Sequence, residues 1–196
     1  MADGWLVHNL VIGLVGFFML GLFMVNPAKA EKLTEDGLHT QDWFIQDSFL
    51  ELADDAQNAI DGGKRLVVMW ELKGCPYCAE THRVNFQDER IVAYMKQHFD
   101  VLQLNYIGSK RVTDFQGEEL SEKEMGKRYA VRYTPTIQFF PDDITGLEDI
   151  KAMDREIFRI SGYVKPDHFY AMLTYVAEGH YKEMSIGEFF KQNPIN

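Results

Sequence analysis

Only two cysteines occur in this chain, and they stand three residues apart in Lys73-Gly74-Cys75-Pro76-Tyr77-Cys78. Two thiols at that spacing can close into a disulfide or open to a dithiol. The apolar run Leu66-Val67-Val68-Met69-Trp70 leads into them and reads as a buried strand. A strand running into Cys-x-x-Cys is the sequence pattern of a thiol–disulfide exchange site. If a helix starts at or near Cys75, the two sulfurs take neighbouring places on its first turn. Cys75 then sits at the helix N-terminus, where free N–H groups and the macrodipole favour a thiolate. Pro76 suits that turn, because an N–H there would have no intrahelical partner. Lys73 adds positive charge in the same sense. One thiolate attacks a partner's disulfide, and the second resolves the mixed disulfide.

Other uses of the pair fit less well. A structural zinc site takes about four ligands, and the chain has no second cysteine pair, so no metal is expected. A c-type haem needs His directly after the second cysteine, where this chain has Ala79. A purely structural disulfide would close a loop too short to remove much chain entropy. The expected redox group is the Cys75–Cys78 pair itself, with no further cofactor.

The elements around the pair follow from spacing and breakers. Asp47 is placed to cap a helix whose apolar face is Phe49, Leu50, Leu52, Ala53, Ala56 and Ile60, ending at Asp61-Gly62-Gly63. A central strand covers 65–72 and a helix 75–84. Asn85-Phe86-Gln87 breaks it, and Asp88 caps a second piece with Ile91, Val92, Tyr94 and Met95. A strand is expected over 99–107. Gln116-Gly117 turns a small hairpin within 110–120. Ser121-x-x-Glu124 is a capping box for a helix to about Ala130. Strands at 136–140 and 156–160 flank an acidic loop. Pro166 opens a helix with Phe169, Met172, Leu173 and Val176, and 185–191 forms a short last one. Residues 31–46 read as a mixed lead-in. Strands separated by helices imply parallel crossovers, and the last pair reads as antiparallel. The expected class is α/β, a central mixed sheet flanked by helices with a small hairpin insertion.

The 196 residues divide into 1–30 and a domain at 31–196. Residues 10–25 are sixteen apolar or Gly positions without a charge, and Ala28-Lys29-Ala30 fits a signal-peptidase site before Glu31. A cleaved export signal is favoured over an uncleaved inner-membrane anchor at 6–25. Either way the domain lies outside the cytoplasm, and a periplasm fits best. The net charge is -10, and Asp3 and Lys29 cancel within the first thirty residues, so the remainder keeps the whole excess. That argues against nucleic acid and anionic membrane surfaces as partners.

From Asp47 to His180 the chain resembles the thioredoxin superfamily. Within it the likeness is to the periplasmic thioredoxins encoded with bacterial sulfur-oxidation genes, the SoxW-like group. The likeness is carried by Lys73 to Cys78, Val101-Leu102-Gln103-Leu104-Asn105, Val112-Thr113-Asp114-Phe115-Gln116-Gly117 and Leu120-Ser121-Glu122-Lys123-Glu124. Thr134-Pro135-Thr136-Ile137-Gln138-Phe139-Phe140-Pro141 and Ser161-Gly162-Tyr163 complete it. The resemblance implies a thioredoxin-like fold, with Cys75 as nucleophile and Cys78 as resolving thiol. It implies that Pro135 is cis and faces the pair, leaving the Thr134 backbone to hold an extended partner segment. Read alone, a proline at a strand start is equally at home as trans. The implied partners are a protein thiol or disulfide, in that setting a carrier protein with a reactive cysteine, and a membrane electron donor of the thiol–disulfide type. The chain departs from ordinary thioredoxins in two ways. Its pair encloses Pro76-Tyr77, the glutaredoxin dipeptide, and Met69 stands where thioredoxins usually keep a buried acid.

Glu71 shares a strand face with Val67 and Met69 and can stand in as the acid that manages the Cys78 proton. Its other reading is a strand-end carboxylate in water. His82, four residues after Cys78, reads as an exposed helix histidine, and Tyr77 as part of the site rim. The hairpin charges Arg111, Asp114, Glu118 and Glu119 are placed to orient a partner. The leading function is an exported thiol–disulfide oxidoreductase acting as a reductant. A disulfide-forming oxidant, a glutaredoxin-like enzyme and a non-catalytic binding module that uses Thr134 and Pro135 are the alternatives. Mass spectrometry of the mature protein is expected to show Glu31 as its first residue. Full-length protein in the membrane fraction would establish the anchor instead.

Overall fold

The structure, a computed structural model, describes residues 32–195; the export-signal or anchor segment at 1–30 lies outside them. Two helix–strand alternations build the early half. Helix α1 (Leu52–Asp61) precedes β1 (Arg65–Glu71), then α2 (Pro76–Arg83), α3 (Glu89–His98) and β2 (Phe99–Asn105). The small hairpin is β3 (Arg111–Thr113) and β4 (Glu119–Ser121), followed by α4 (Glu122–Arg128). The late half is β5 (Thr136–Phe139), β6 (Phe158–Ser161), α5 (Pro166–Ala177) and α6 (Ile186–Gln192). The four-stranded sheet runs β2-β1-β5-β6. Strands β1 and β2 are parallel, with Glu71 opposite Asn105, so both deliver their following loops to one edge. Strand β5 is antiparallel to β1 and β6. This is the expected mixed sheet flanked by helices, with the hairpin as a separate two-stranded piece.

Alternation along β1 sorts the core into two layers. Val67 and Met69 face α3 and α5 through Ile91, Met95, Phe169, Leu173 and Val176. Leu66, Val68 and Trp70 face the opposite layer, which holds Leu52, Ala56 and Ala59 of α1 and Met125 and Tyr129. Capping chemistry sets the later helices. Asp88 accepts from the backbone N–H groups of Arg90 and Ile91, and Ser121 and Ser185 each form a full capping box.

Two expectations about the first helix fail. It starts at Leu52, Asp47 does not cap it, and Phe49 is 96% exposed. Leu50 has φ 61, which a continuing helix cannot contain. Its carbonyl accepts from Thr113 N–H at 2.8 Å, so this stretch is tied to the hairpin. Ser48 satisfies the turn instead, accepting from Leu50 N–H and donating to Asp55.

Asp114 corrects a third. It is buried and takes no place on the surface of the hairpin. Its carboxylate pairs with Arg128 at 2.9 Å and with the fully buried Arg155 at 3.3 Å. The loop expected to be acidic thus supplies an interior cation. Arg111, Glu118 and Glu119 do stay at the surface. Burial pushes the Asp114 carboxyl up, but the bonds from Arg128, the backbone of Gln116 and Glu118, and Arg155 outweigh it and hold it below the ordinary carboxylate range. Its stabilising effect is therefore present above the unfolded pKa and lost as pH falls through the lowered native one. Asp114→Asn is expected to lose about 3 kcal/mol in urea unfolding at neutral pH. The gap from the parent should narrow on acidification into that range, and a constant gap would overturn the assignment.

Candidate active site at the strand–helix junction

The chain leaves β1 at Glu71 and must turn sharply to start α2. Gly74, with φ +75, makes that turn in a backbone region that other residues rarely adopt. Cys75 is the N-cap of α2 and Pro76 opens its first turn. Cys75 and Cys78 are joined as a disulfide with Cα atoms 5.3 Å apart. The Cys78 N–H points at Cys75 Sγ at 3.1 Å, so a helix N-terminal donor meets this sulfur. Cys78 is fully buried, while Cys75 reaches the surface slightly. Tyr77 is 60% exposed, at the rim. Lys73 is exposed, and its stem runs beside the turn of the preceding segment: a Cβ at Gly37 would stand 3.1 Å from Lys73 Cδ and Cε.

The Thr134–Pro135 bond is cis. Cys75 Sγ lies 3.3 Å from the Thr134 carbonyl oxygen and 3.3 Å from its hydroxyl. The two halves of the site, 59 residues apart in sequence, therefore meet at one sulfur. In the open dithiol form the Thr134 hydroxyl is placed to donate to a Cys75 thiolate. Tyr133, 68% exposed, precedes it on the surface.

At the end of β1, Glu71 has no exposed surface, which removes the reading of a carboxylate in water. Its Oε1 lies 3.0 Å from His82 Nε2, and Oε2 accepts from Gln103 Nε2 of β2. His82 is 4% exposed, and the expectation of an exposed histidine is wrong. It lies one turn after Cys78 and one turn before Phe86, on the inward stripe of α2 and the turn after it. That i, i+4, i+8 stripe was the signal available in the sequence. Residues 32–46, read as a lead-in, are an ordered strap over this region. Gln41 reaches His82 Nδ1 at 3.1 Å, Phe44 packs edge-on to the same ring, and Gln103 also donates to the His39 carbonyl. Gln41, Gln103 and the strap were not legible, because no local pattern ties them to the pair.

A closed Cys-x-x-Cys pair at a helix start, with a cis-proline turn beside it on a mixed sheet, is a thioredoxin-like arrangement that fits a thiol–disulfide oxidoreductase. Residues 52–177 match the thioredoxin-like domain family, and the chain belongs to it. No curated protein matches the chain. Among solved structures it is similar to a thioredoxin-fold protein from Helicobacter pylori, at 22% identity and TM-score 0.49, covering 67% of this chain and 80% of that one. It is similar also to a thioredoxin from Thermus thermophilus, at 19% identity and TM-score 0.48, covering 68% and 93%. A third is a DsbH oxidoreductase, at 12% identity and TM-score 0.41, covering 80% and 97%.

Thr134→Val keeps the shape of the turn and removes the hydroxyl beside Cys75 Sγ. The pH at which Cys75 alkylation by iodoacetamide reaches half its maximal rate is expected to rise by about half a unit or more. An unchanged profile would show that the hydroxyl does not stabilise the thiolate.

Proposed function

We propose that this protein is an exported thiol–disulfide oxidoreductase that reduces a cysteine or disulfide of another protein. The observation that carries the reading is the Cys75 sulfur at the start of α2, held against Thr134 beside cis-Pro135. A partner segment lying on the Thr134 backbone would bring its own sulfur to Cys75. The Cys75 thiolate attacks that sulfur, and the partner's other thiolate leaves. Cys78 then loses its proton and attacks Cys75. The mixed disulfide breaks, the partner departs as a thiol, and the Cys75–Cys78 disulfide remains, with two electrons passed to the partner. Cys75 is the nucleophile because it is the less deeply buried member of the pair, at the helix end; Cys78, fully buried, is the resolving thiol. Glu71 is the acid that manages the Cys78 proton, in place of the acid absent at Met69. Lys73, Pro76 and Tyr77 tune and frame the pair.

Reopening the disulfide needs an electron source, and a membrane carrier of the thiol–disulfide type is the chemistry that fits an exported enzyme. The sulfur-oxidation setting supplies the favoured partner, a carrier protein with a reactive cysteine. The periplasm is the proposed location. Among the described residues no helix is long and apolar enough to cross a membrane.

Insulin reduction with a thiol donor tests the activity. Cys75→Ser should abolish it, and Cys78→Ser should accumulate mixed disulfides visible on non-reducing gels. If Cys78 proved to be the thiol alkylated first at neutral pH, the roles are reversed. As a reductant the pair should have a potential near the about -270 mV of thioredoxin, far from the about -120 mV of a strong oxidant.

A further inference from the structure

We propose that His82 and Gln41 are positioning residues that let the buried site take up and return the Cys78 proton by switching between two hydrogen-bond arrangements. This rests on the exchange reading above and names a device within the same site. Cys78 and His82 lie one turn apart on the inward side of α2, both buried. Side chains four apart on a helix are neighbours, with about 5–6 Å between Cβ atoms. His82 joins Glu71 through Nε2 at 3.0 Å and Gln41 through Nδ1 at 3.1 Å.

The donor–acceptor arithmetic defines the resting arrangement. Against an ionised carboxylate, which only accepts, His82 Nε2 is the donor of the 3.0 Å contact with Glu71. With its amide nitrogen toward the ring at 3.1 Å, Gln41 donates and Nδ1 is the acceptor in this arrangement. When a proton enters at Nδ1, the ring needs an acceptor there. Gln41 supplies one by turning its amide about the broad, two-fold terminal torsion, which brings Oε1 to the place of Nε2. Few side chains can serve both states without moving their stem. Gln103 holds the other carboxylate oxygen in both.

The step balances. Cys78 gives its proton to the Glu71–His82 pair as its sulfur attacks Cys75. The Cys75–Cys78 bond forms, the bond from Cys75 to the partner breaks, and the partner thiolate takes a proton from water. Reduction by a donor dithiol returns the proton to Cys78. The titratable groups facing His82 are Glu71 from β1, His39 from the strap at 5.7 Å between ring centroids, and Cys78 from its own helix. Phe44 and Phe86 wall the ring without charge, at 5.8 and 5.0 Å. Gln41 lies outside the 52–177 stretch that matches the family, so the matched domain lacks the residue that orients the imidazole.

The test separates the two thiols. The reduced full-length protein is mixed with an aryl disulfide, dithiobis(nitrobenzoate), and two releases of coloured thiolate are timed by stopped flow. The first reports attack by Cys75 and the second resolution by Cys78. His82→Gln retains a polar group against Glu71 but cannot take the proton. It should slow the second release about tenfold or more at neutral pH and raise its pH midpoint by about one unit. The first release should keep its pH profile. Gln41→Leu leaves the imidazole–carboxylate pair intact and should shift the second midpoint the same way by a smaller amount. If the second release keeps its parent pH midpoint in Gln41→Leu, the inference is overturned, whatever the thermal stability, and Gln41→Leu decides alone if His82→Gln does not fold. A parent protein that gives the first release and no second one would overturn the exchange reading itself.

Discussion

A carboxyl group with no exposed surface has to find its hydrogen-bond partners inside the protein, and Glu71 finds them in two elements at once. His82 comes from the helix that carries the cysteines, and Gln103 from the neighbouring parallel strand. Those partners then recruit others. Gln103 reaches the His39 carbonyl and His82 reaches Gln41, so the strap at 32–46 is drawn across the same edge. The strap is also stitched to the sheet by Ile45 N–H donating to the Val101 carbonyl at 2.8 Å. The helix that carries the disulfide is therefore tied into a polar layer whose members come from four separate segments. Loss of one member would leave another buried and unsatisfied, which is costlier than never having placed the group there.

The opposite sheet face shows the same constraint without redox chemistry nearby. Trp70 follows Met69 on β1 and points away from Glu71. Its indole N–H donates to Gln138, whose amide in turn donates to Glu156. Arg159 closes the chain by pairing with Glu156 at 2.7 Å and reaching the Tyr129 and Ala130 carbonyls. These bonds hold the C-terminal end of α4 and the turn that leads to Thr134. Asp114 and Arg155 do comparable work beyond it, fastening the hairpin to the loop between β5 and β6. Thr134 is thus set from behind by a network that never touches the sulfurs, while the junction of β1 and α2 sets Cys75. Precision at the contact between them comes from two independent scaffolds that share one sheet.

Residue order alone determined the cysteine pair, its place between a buried strand and a helix, Pro76 at the first turn, and a mixed sheet with a parallel part and an antiparallel last pair; that β5 also runs antiparallel to β1 came from the tertiary structure. The former are local matters. Period-two alternation, helical spacing, the capping box at Ser121 and breakers at Gly and Pro each act over a few residues. The likeness around Thr134-Pro135 also implied a cis bond there; the bond is cis, and Thr134 lies beside Cys75 Sγ. What only the tertiary structure decided was the environment of each polar side chain. His82 and Asp114 look like surface residues in sequence and are interior ones, and Phe49 looks like a core residue and is exposed. The partners that bury or release them lie 11 to 41 residues away. Burial of a charge or an imidazole depends on which distant donors arrive beside it, and chain spacing carries no record of that encounter.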